Sequence, residues 1–355
     1  MQTDFLIIGA GAIGLTTAQA LLQAGYRVTL VERGVVGKEA SWAGGGILSP
    51  LCSWDYQESA TRLAHRGMGM FGEAAEMLRA TTGVDTEYRR CGMLLLPPYR
   101  DEAATQWCGQ HQFSLQHVPL NDYLPGQEGT GLLLPEVAQV RNPRLLEALR
   151  KRVEMLGGVI LEQHEVKSFE LAGDRIAALV TTRGKLSAGA YIVAAGAWSK
   201  ELLGEYALRI EIRPIRGQIL LFKFDAPPFQ PVLLKEHLYL IPRRDGHVLV
   251  GSTLEDVGFD KSTTAEARDS LLRRVREIFP DWDESRLVQH WAGFRPGSPN
   301  NIPTIGRHPQ LTNLYANCGH FRYGVTMSLA SAELLLNEIE GKLQPIPVNE
   351  YRWRV

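Results

Sequence analysis

Gly9, Gly11 and Gly14, followed by Glu32, have the types and spacing to hold a dinucleotide. Gly9 permits a tight turn out of a strand, and Gly11 lets backbone approach a pyrophosphate with no Cβ in the way. Gly14 lets a helix pack close to a sheet. A helix N-terminus supplies N–H groups and a positive dipole end to phosphates, and a strand-end carboxylate accepts hydrogen bonds from a ribose diol. The elements that must position these groups surround them in register. Phe5-Leu6-Ile7-Ile8 is a short uncharged run suited to a buried parallel strand. Leu15 to Ala24 has helical patterning and stops at Gly25. Val28-Thr29-Leu30-Val31 is a second strand that ends at Glu32. A glycine-rich turn in an ordinary βαβ unit would leave the three glycines and the acid as coincidence.

Composition narrows the setting. The chain has 355 residues, 45% hydrophobic, enough for two domains with sizeable cores. Its formal net charge of −1 implies no large basic surface, so nucleic acid is not an expected partner. No apolar run is long enough for a membrane span. The N-terminus lacks the basic region of a signal peptide. Cys52, Cys91, Cys108 and Cys318 are scattered without a C-x-x-C pair. They read as reduced thiols in a cytoplasmic protein, with neither zinc nor a disulfide framework.

Farther along, Ala40-Ser41-Trp42-Ala43-Gly44-Gly45-Gly46-Ile47 is a small-residue loop able to lie against a flat ligand. Glu58 to Ala80 reads as an amphipathic helix, Thr86 to Leu96 as a strand pair and Asp101 to Gln110 as a short helix. The stretch 86–140 lacks βαβ rhythm and reads as an insertion. Asn142-Pro143 opens a helix through Leu156, and Gly173-Asp174 is a hairpin turn. Ala190 to Val193 is an apolar strand ending in small residues, Ala194 to Ala197. From Leu208 to Val250 the pattern is antiparallel β, with Asp245-Gly246 as a turn, and Ala265 to Ile278 is a helix. Near the end, Leu314 to Cys318, the loop Gly319 to Gly324 and the helix from Val325 repeat the opening grammar. The last segment is therefore expected to return to the first domain.

These motifs together resemble the flavin amine and amino-acid oxidases of the D-amino acid oxidase, sarcosine oxidase and glycine oxidase family, over nearly the whole chain. The resemblance rests on the N-terminal glycines with Glu32 and on Val193-Ala194-Ala195-Gly196-Ala197-Trp198. It also rests on Ala292-Gly293-Phe294-Arg295-Pro296-Gly297-Ser298 and on Gly319-His320-Phe321-Arg322-Tyr323-Gly324. The small-residue loop through Pro50 points to the glycine-oxidising branch that serves thiamine biosynthesis. The fold implied is a discontinuous, Rossmann-like α/β domain for FAD together with an α+β substrate domain built on a mainly antiparallel sheet. The division expected is 1–85, 141–207 and 295–355 for the cofactor domain, with 86–140 and 208–294 for the substrate domain.

The family chemistry implied is oxidative deamination. Hydride leaves the substrate Cα for flavin N5, the imine hydrolyses to an oxo acid and ammonia, and O2 reoxidises the flavin to give hydrogen peroxide. No side chain need act as base. Orientation of a neutral amine supplies much of the rate. By resemblance, Arg295 and Tyr239 take the substrate carboxylate, and Arg322 is a second arginine near it. A planar guanidinium suits a carboxylate through two charge-assisted bonds. The FAD contacts implied are Gly9, Gly11, Ile13, Gly14, Glu32 and Arg33, then Ser41, Trp42, Ala43, Gly44, Gly45, Gly46 and Ile47. Val166, Ala195, Gly196 and Trp198 follow, and late in the chain Arg295, His320, Phe321, Arg322, Tyr323 and Gly324. His320 reads as loop structure beside the flavin.

Some positions depart from the family pattern. Tyr323 stands where Asn is frequent, Leu254 replaces a methionine, and Asn300 stands where an acid is common. These leave the preferred amine open. No His lies near Trp42 and the cysteines miss the attachment position, so non-covalent FAD is expected. The resemblance also implies a homotetramer. A dehydrogenase on similar amines, passing electrons to a quinone or carrier protein, remains the alternative. A flavoprotein module of a larger assembly and an NAD-binding regulator fit the glycine loops and the absence of an extra domain less well.

Overall fold

Parallel pairing at the N-terminus sets the architecture. The computed structural model describes residues 3–50 and 52–354, so the outermost residues of the expected first and last segments, 1–2 and 355, lie outside the description. Strand Thr3–Ile8 pairs in parallel with Val28–Val31 on one side and with Ala188–Val193 on the other. In these registers Ile8 faces Val31 and Val193, so the strands' carboxyl ends lie level. The sheet has six strands, ordered Thr304–Arg307, Leu314–Cys318, Ala188–Val193, Thr3–Ile8, Val28–Val31, Val159–Leu161. Only the first pair is antiparallel.

The helix Ala12–Gln23 leaves the first strand through Gly9, whose φ is +105°. It packs on the C-terminal helix Gly324–Glu340, where the Thr16 hydroxyl donates to the Ser328 carbonyl at 3.2 Å. Asn317 Nδ2 reaches the Thr17 hydroxyl at 3.0 Å. The chain's end thus closes over its beginning. Helix Glu58–Thr82 crosses the C-terminal helix so closely that a Cβ at Gly67 would lie 2.0 Å from the Thr326 carbonyl oxygen. The core between these helices and the sheet includes Ile7, Leu15, Leu30, Leu63, Ile192 and Leu335. Burying each such side chain contributes about 1.5–3 kcal/mol.

A second, eight-stranded sheet is ordered Leu287–Gly297, Arg213–Lys223, His247–Gly251, Leu238–Pro242, Val232–Lys235, Met93–Leu95, Thr130–Leu134, Gln116–Pro119. Only Val232–Lys235 with Met93–Leu95 is parallel. Helix Ala265–Arg276 packs on this sheet through Leu271, Leu272 and Val275, and the Thr264 hydroxyl caps its start. Strands from 86–140 and from the later segment therefore share one sheet. Its longest outer strand, Leu287–Gly297, continues three residues past 294.

Local differences from the sequence reading have local causes. The expected strand pair in 86–96 is two short strands, Arg89–Arg90 and Met93–Leu95, which join different sheets. Gly92, at φ +73°, breaks the run between them. The helix expected from Leu15 begins at Ala12, directly after the glycine turn. Cys52, Cys91, Cys108 and Cys318 are free thiols. Among the described residues, no helix is long and apolar enough to cross a membrane.

Candidate active site

A cavity of about 1280 Å³ opens at the carboxyl edge of the six-stranded sheet and runs to the eight-stranded sheet. Gly9, Gly11, Ile13, Glu32 and Arg33 line one end. A Cβ at Gly9 would lie 2.5 Å from the Ala194 carbonyl oxygen, and one at Gly11 would lie 3.0 Å from Ser41 Oγ. Gly14 lies behind the cavity, where a Cβ would come within 1.9 Å of the Gly9 carbonyl oxygen. It serves the packing of helix on strand. Glu32 accepts the Ala10 N–H at 3.0 Å and the Gly34 N–H at 2.9 Å, one on each oxygen. Each carboxylate oxygen can accept a further hydrogen bond, and Glu32 lines the cavity. The Arg33 guanidinium lies 3.5 Å from the centre of the Trp198 ring, and Phe259 stacks on that ring at 5.1 Å.

The small-residue loop forms the next wall. Ser41, Ala43, Gly44, Gly45, Gly46 and Ile47 all line it, and Ser41 Oγ accepts the Ala12 N–H at 2.9 Å. Trp42, like Gly14, is an expected contact that does not line the cavity. Its indole packs against Trp291 at 5.5 Å and does not line the cavity, because the short helix Ala40–Ala43 turns it toward the outer strand. Gly46 has φ +73°, and a Cβ there would come within 2.2 Å of the Val140 carbonyl oxygen. Asn142 Nδ2 donates to the Ser41 carbonyl at 2.6 Å and to the Gly44 carbonyl at 3.0 Å. Val166, Ala195, Gly196 and Trp198 complete this end.

His320, Phe321, Arg322, Tyr323 and Gly324 line the cavity from the late loop. Phe321 holds φ +43°, a region that non-glycine residues seldom occupy outside constrained sites. Its N–H donates to the Pro296 carbonyl, and the Arg322 N–H donates to Asn301 Oδ1. His320 is 1% exposed and bonds Ser331 Oγ at 2.9 Å. Burial pushes its pKa down to about 3, so it is neutral. Tyr323 meets Tyr56 edge to face at 5.1 Å, and the Arg322 guanidinium donates to the Tyr56 hydroxyl at 3.2 Å.

Tyr239 and Arg295 stand on strands of the eight-stranded sheet and line the same cavity. The Arg295 guanidinium donates to the Thr253 carbonyl at 3.2 Å and to the Ser252 hydroxyl. Burial lowers its pKa, Tyr239 partly opposes that shift, and Arg322 adds to it. Glycines make the room. A Cβ at Gly251 would lie 2.9 Å from the Tyr239 hydroxyl oxygen, and one at Gly217 would overlap the Arg295 guanidinium. Arg295 and Arg322 thus give this end of the cavity a positive character suited to a carboxylate. Leu254, 53% exposed, and Asn300 also line the cavity.

Sequence reasoning missed Tyr56, Asn142, Gly217, Gly251 and Asn301. Asn142 carried a signal, since it stood before Pro143 at a helix start. Its side chain, however, serves a loop a hundred residues away. Gly217 and Gly251 each lay within apolar strand patterns, where a glycine marks close approach of another group.

The glycine turn, the Glu32 carboxylate and the small-residue loop fit a flavin dinucleotide, and a cationic pocket ends the same cavity. That arrangement fits a flavin-dependent oxidoreductase. The chain belongs to the FAD dependent oxidoreductase family, whose pattern matches residues 4–337, and FAD is its cofactor. It is 41% identical to a glycine oxidase of Pseudomonas aeruginosa over 98% of this chain and 97% of that one. It is 38% identical to a glycine oxidase of Pseudomonas putida, covering 98% of each. A bifunctional protein ThiO/ThiG of Synechocystis is 32% identical over 98% of this chain and 53% of its own length. The crystal structure of glycine oxidase from Geobacillus kaustophilus superposes with a TM-score of 0.93, covering 100% of this chain and 99% of that one at 24% identity.

Proposed function

We propose that this chain oxidises glycine and similarly small amines or D-amino acids, converting glycine, O2 and water to glyoxylate, ammonia and hydrogen peroxide. The observation that carries this reading is the convergence of Arg295 and Tyr239 on the cavity that also holds the glycine turn and Glu32. Arg295 receives the substrate carboxylate through paired charge-assisted bonds, and the Tyr239 hydroxyl donates to the same group. Arg322, steadied by Tyr56, adds positive potential at the carboxylate. FAD, held along the glycine turn, Glu32 and the small-residue loop, would supply the two-electron acceptor for the substrate's oxidation. The chain's own part is to fix the substrate Cα and to hold the amine in its neutral form within a partly water-excluding pocket.

Non-covalent attachment of FAD belongs to the same reading. Burial pushes both Cys52 and Cys318, the cysteines lining the cavity, up to about 12, which withholds the thiolate that a covalent bond requires. The product imine and glyoxylate suit a role in forming the thiazole of thiamine. The resemblance to the family supports a homotetramer in the cytoplasm, which sedimentation and fractionation measure.

Anaerobic mixing with glycine, sarcosine, D-alanine and D-proline in turn tests the reading. Rapid loss of flavin absorbance with glycine, followed by peroxide on admitting air, is expected. Flavin reduction without prompt reoxidation by air would favour a dehydrogenase, and no reduction by any of the four would discard the substrate class.

A further inference from the structure

Arg243 is 4% exposed, and no carboxylate pairs with it among the described residues. Its guanidinium donates to Gln139 Oε1 at 2.7 Å, to the Val140 carbonyl at 2.8 Å and to the Gly45 carbonyl at 2.7 Å. Glu87 and Asp245, the nearby acids, are both taken by Arg141. Burying a cation among neutral oxygens is costly and poorly explained by stability alone. What the arrangement accomplishes is geometric. Arg243 follows the strand Leu238–Pro242, which carries Tyr239, and its far end grips the loop Gly44–Gly46. The two pieces already touch, since a Cβ at Gly45 would lie 2.5 Å from Ile241 Cδ1 and 3.4 Å from the Tyr239 ring. The Val140 N–H donates to the Gly46 carbonyl at 2.9 Å, so Val140 is tied to both partners.

We propose that Arg243 is a positioning residue that locks the triglycine wall of the cofactor cavity to the strand bearing Tyr239, setting the distance between the substrate anchors and the cofactor. The proposal rests on the reading of the cavity given under Proposed function. Arg295 stands on a different strand, Leu287–Gly297, and keeps its own partners Ser252 and Thr253. Loosening Arg243 therefore disturbs alignment more than carboxylate capture.

The test uses the FAD-loaded Arg243→Lys and Arg243→Met enzymes. Three quantities are read: the limiting rate of anaerobic flavin reduction by glycine, the dissociation constant of glycolate from flavin absorbance, and the visible circular dichroism of the flavin without substrate. The reduction rate is expected to fall about tenfold or more while glycolate affinity stays within about threefold, because misalignment of roughly 1 Å suffices for such a loss. The dichroism is expected to change in shape. A lowered melting temperature with unchanged rate and dichroism would reduce Arg243 to a structural role and overturn the proposal. Equal losses in rate and glycolate affinity would also overturn it, since the residue would then act through the carboxylate pocket. Asn142→Ala frees the same loop at Ser41 and Gly44 without burying an unpaired charge. If the Arg243 variants do not fold, an unchanged rate and dichroism in Asn142→Ala overturn the proposal. If glycine fails to reduce the unmodified enzyme, the functional reading falls, and the substrate-free dichroism still decides the role of Arg243.

Discussion

The Arg295 guanidinium lies flat across Gly217: a Cβ at Gly217 would sit 2.1 Å from Arg295 Nη1. The two residues are on neighbouring antiparallel strands, where Ile215 is the register partner of Arg295 and Gly293 that of Gly217. The side chain therefore reaches diagonally over the one position with nothing to displace it. Gly217→Ala must push the guanidinium off the Thr253 carbonyl and Ser252 hydroxyl, while the backbone, already in a strand, accepts alanine. The expected result is a stably folded, FAD-loaded protein whose KM for glycine rises about tenfold or more, from roughly 1.4 kcal/mol of lost binding. Steady-state kinetics with a flavin spectrum checks it, and an unchanged KM would mean that the carboxylate is held elsewhere.

Arg295→Ala removes one of the two guanidinium groups that line this end of the cavity. Leaving a substrate carboxylate without its paired donors costs about 2–5 kcal/mol of transition-state binding, seen in kcat/KM. FAD content should not change, because the groups at the dinucleotide end are untouched. Arg295→Lys should also perform poorly. An ammonium cannot make two parallel bonds, and it would lose the contacts to Ser252 and Thr253 that aim the guanidinium. Normal turnover of glycine by Arg295→Ala would remove Arg295 from the site.

Glu32 ties two turns together through its separate oxygens, at Ala10 N and Gly34 N. Glu32→Ala leaves both amides without an acceptor and removes the carboxylate at the ribose end. FAD affinity, measured by titrating apoprotein, is expected to weaken by about 1–3 kcal/mol. The kinetics of the fully loaded variant should stay near normal, which separates cofactor retention from catalysis. An unaltered FAD dissociation constant would show that Glu32 faces no part of the cofactor.

The division between what the chain's order reveals and what it hides is itself physical. The opening βαβ unit was readable because its strand, glycine turn, helix and acid are contiguous, and the late strand, loop and helix repeat the same local pattern. Glu58–Thr82 was readable from its apolar face. Val232–Lys235 was not, since four residues between loops leave no measurable period, and its parallel partner Met93–Leu95 is far away in the chain. The direction of the Trp42 ring was not readable, because small-residue context says where backbone lies, whereas the direction of one large ring on a four-residue helix depends on Trp291. Arg243 and Asn142 were hidden for a related reason. They act on main-chain carbonyls, which every residue possesses, so nothing in the sequence of the recipient marks the contact.

The buried histidines make stability depend on pH with a definite sign. His320, enclosed and bonded to Ser331, has its pKa pushed down by burial to about 3, against an ordinary 6.5. His65, stacked on Phe113 and edge-on to Trp107, is pushed down to about 4, also by burial first. Both stay neutral in the fold but take up a proton on unfolding once the pH drops below 6.5. Above that value neither alters stability. As pH falls from 6.5 toward their folded values, the unfolded state binds more protons and stability is lost, at about 1.4 kcal/mol per pH unit for each group. His320→Gln keeps an amide for Ser331 and cannot titrate. Its stability gap from the unmodified protein is expected to shift in the variant's favour by about 2 kcal/mol between pH 6.5 and pH 5, a window above most carboxylates. Denaturant unfolding of both proteins at fixed FAD concentration measures this. Parallel pH profiles would show that His320 is not held neutral inside the fold.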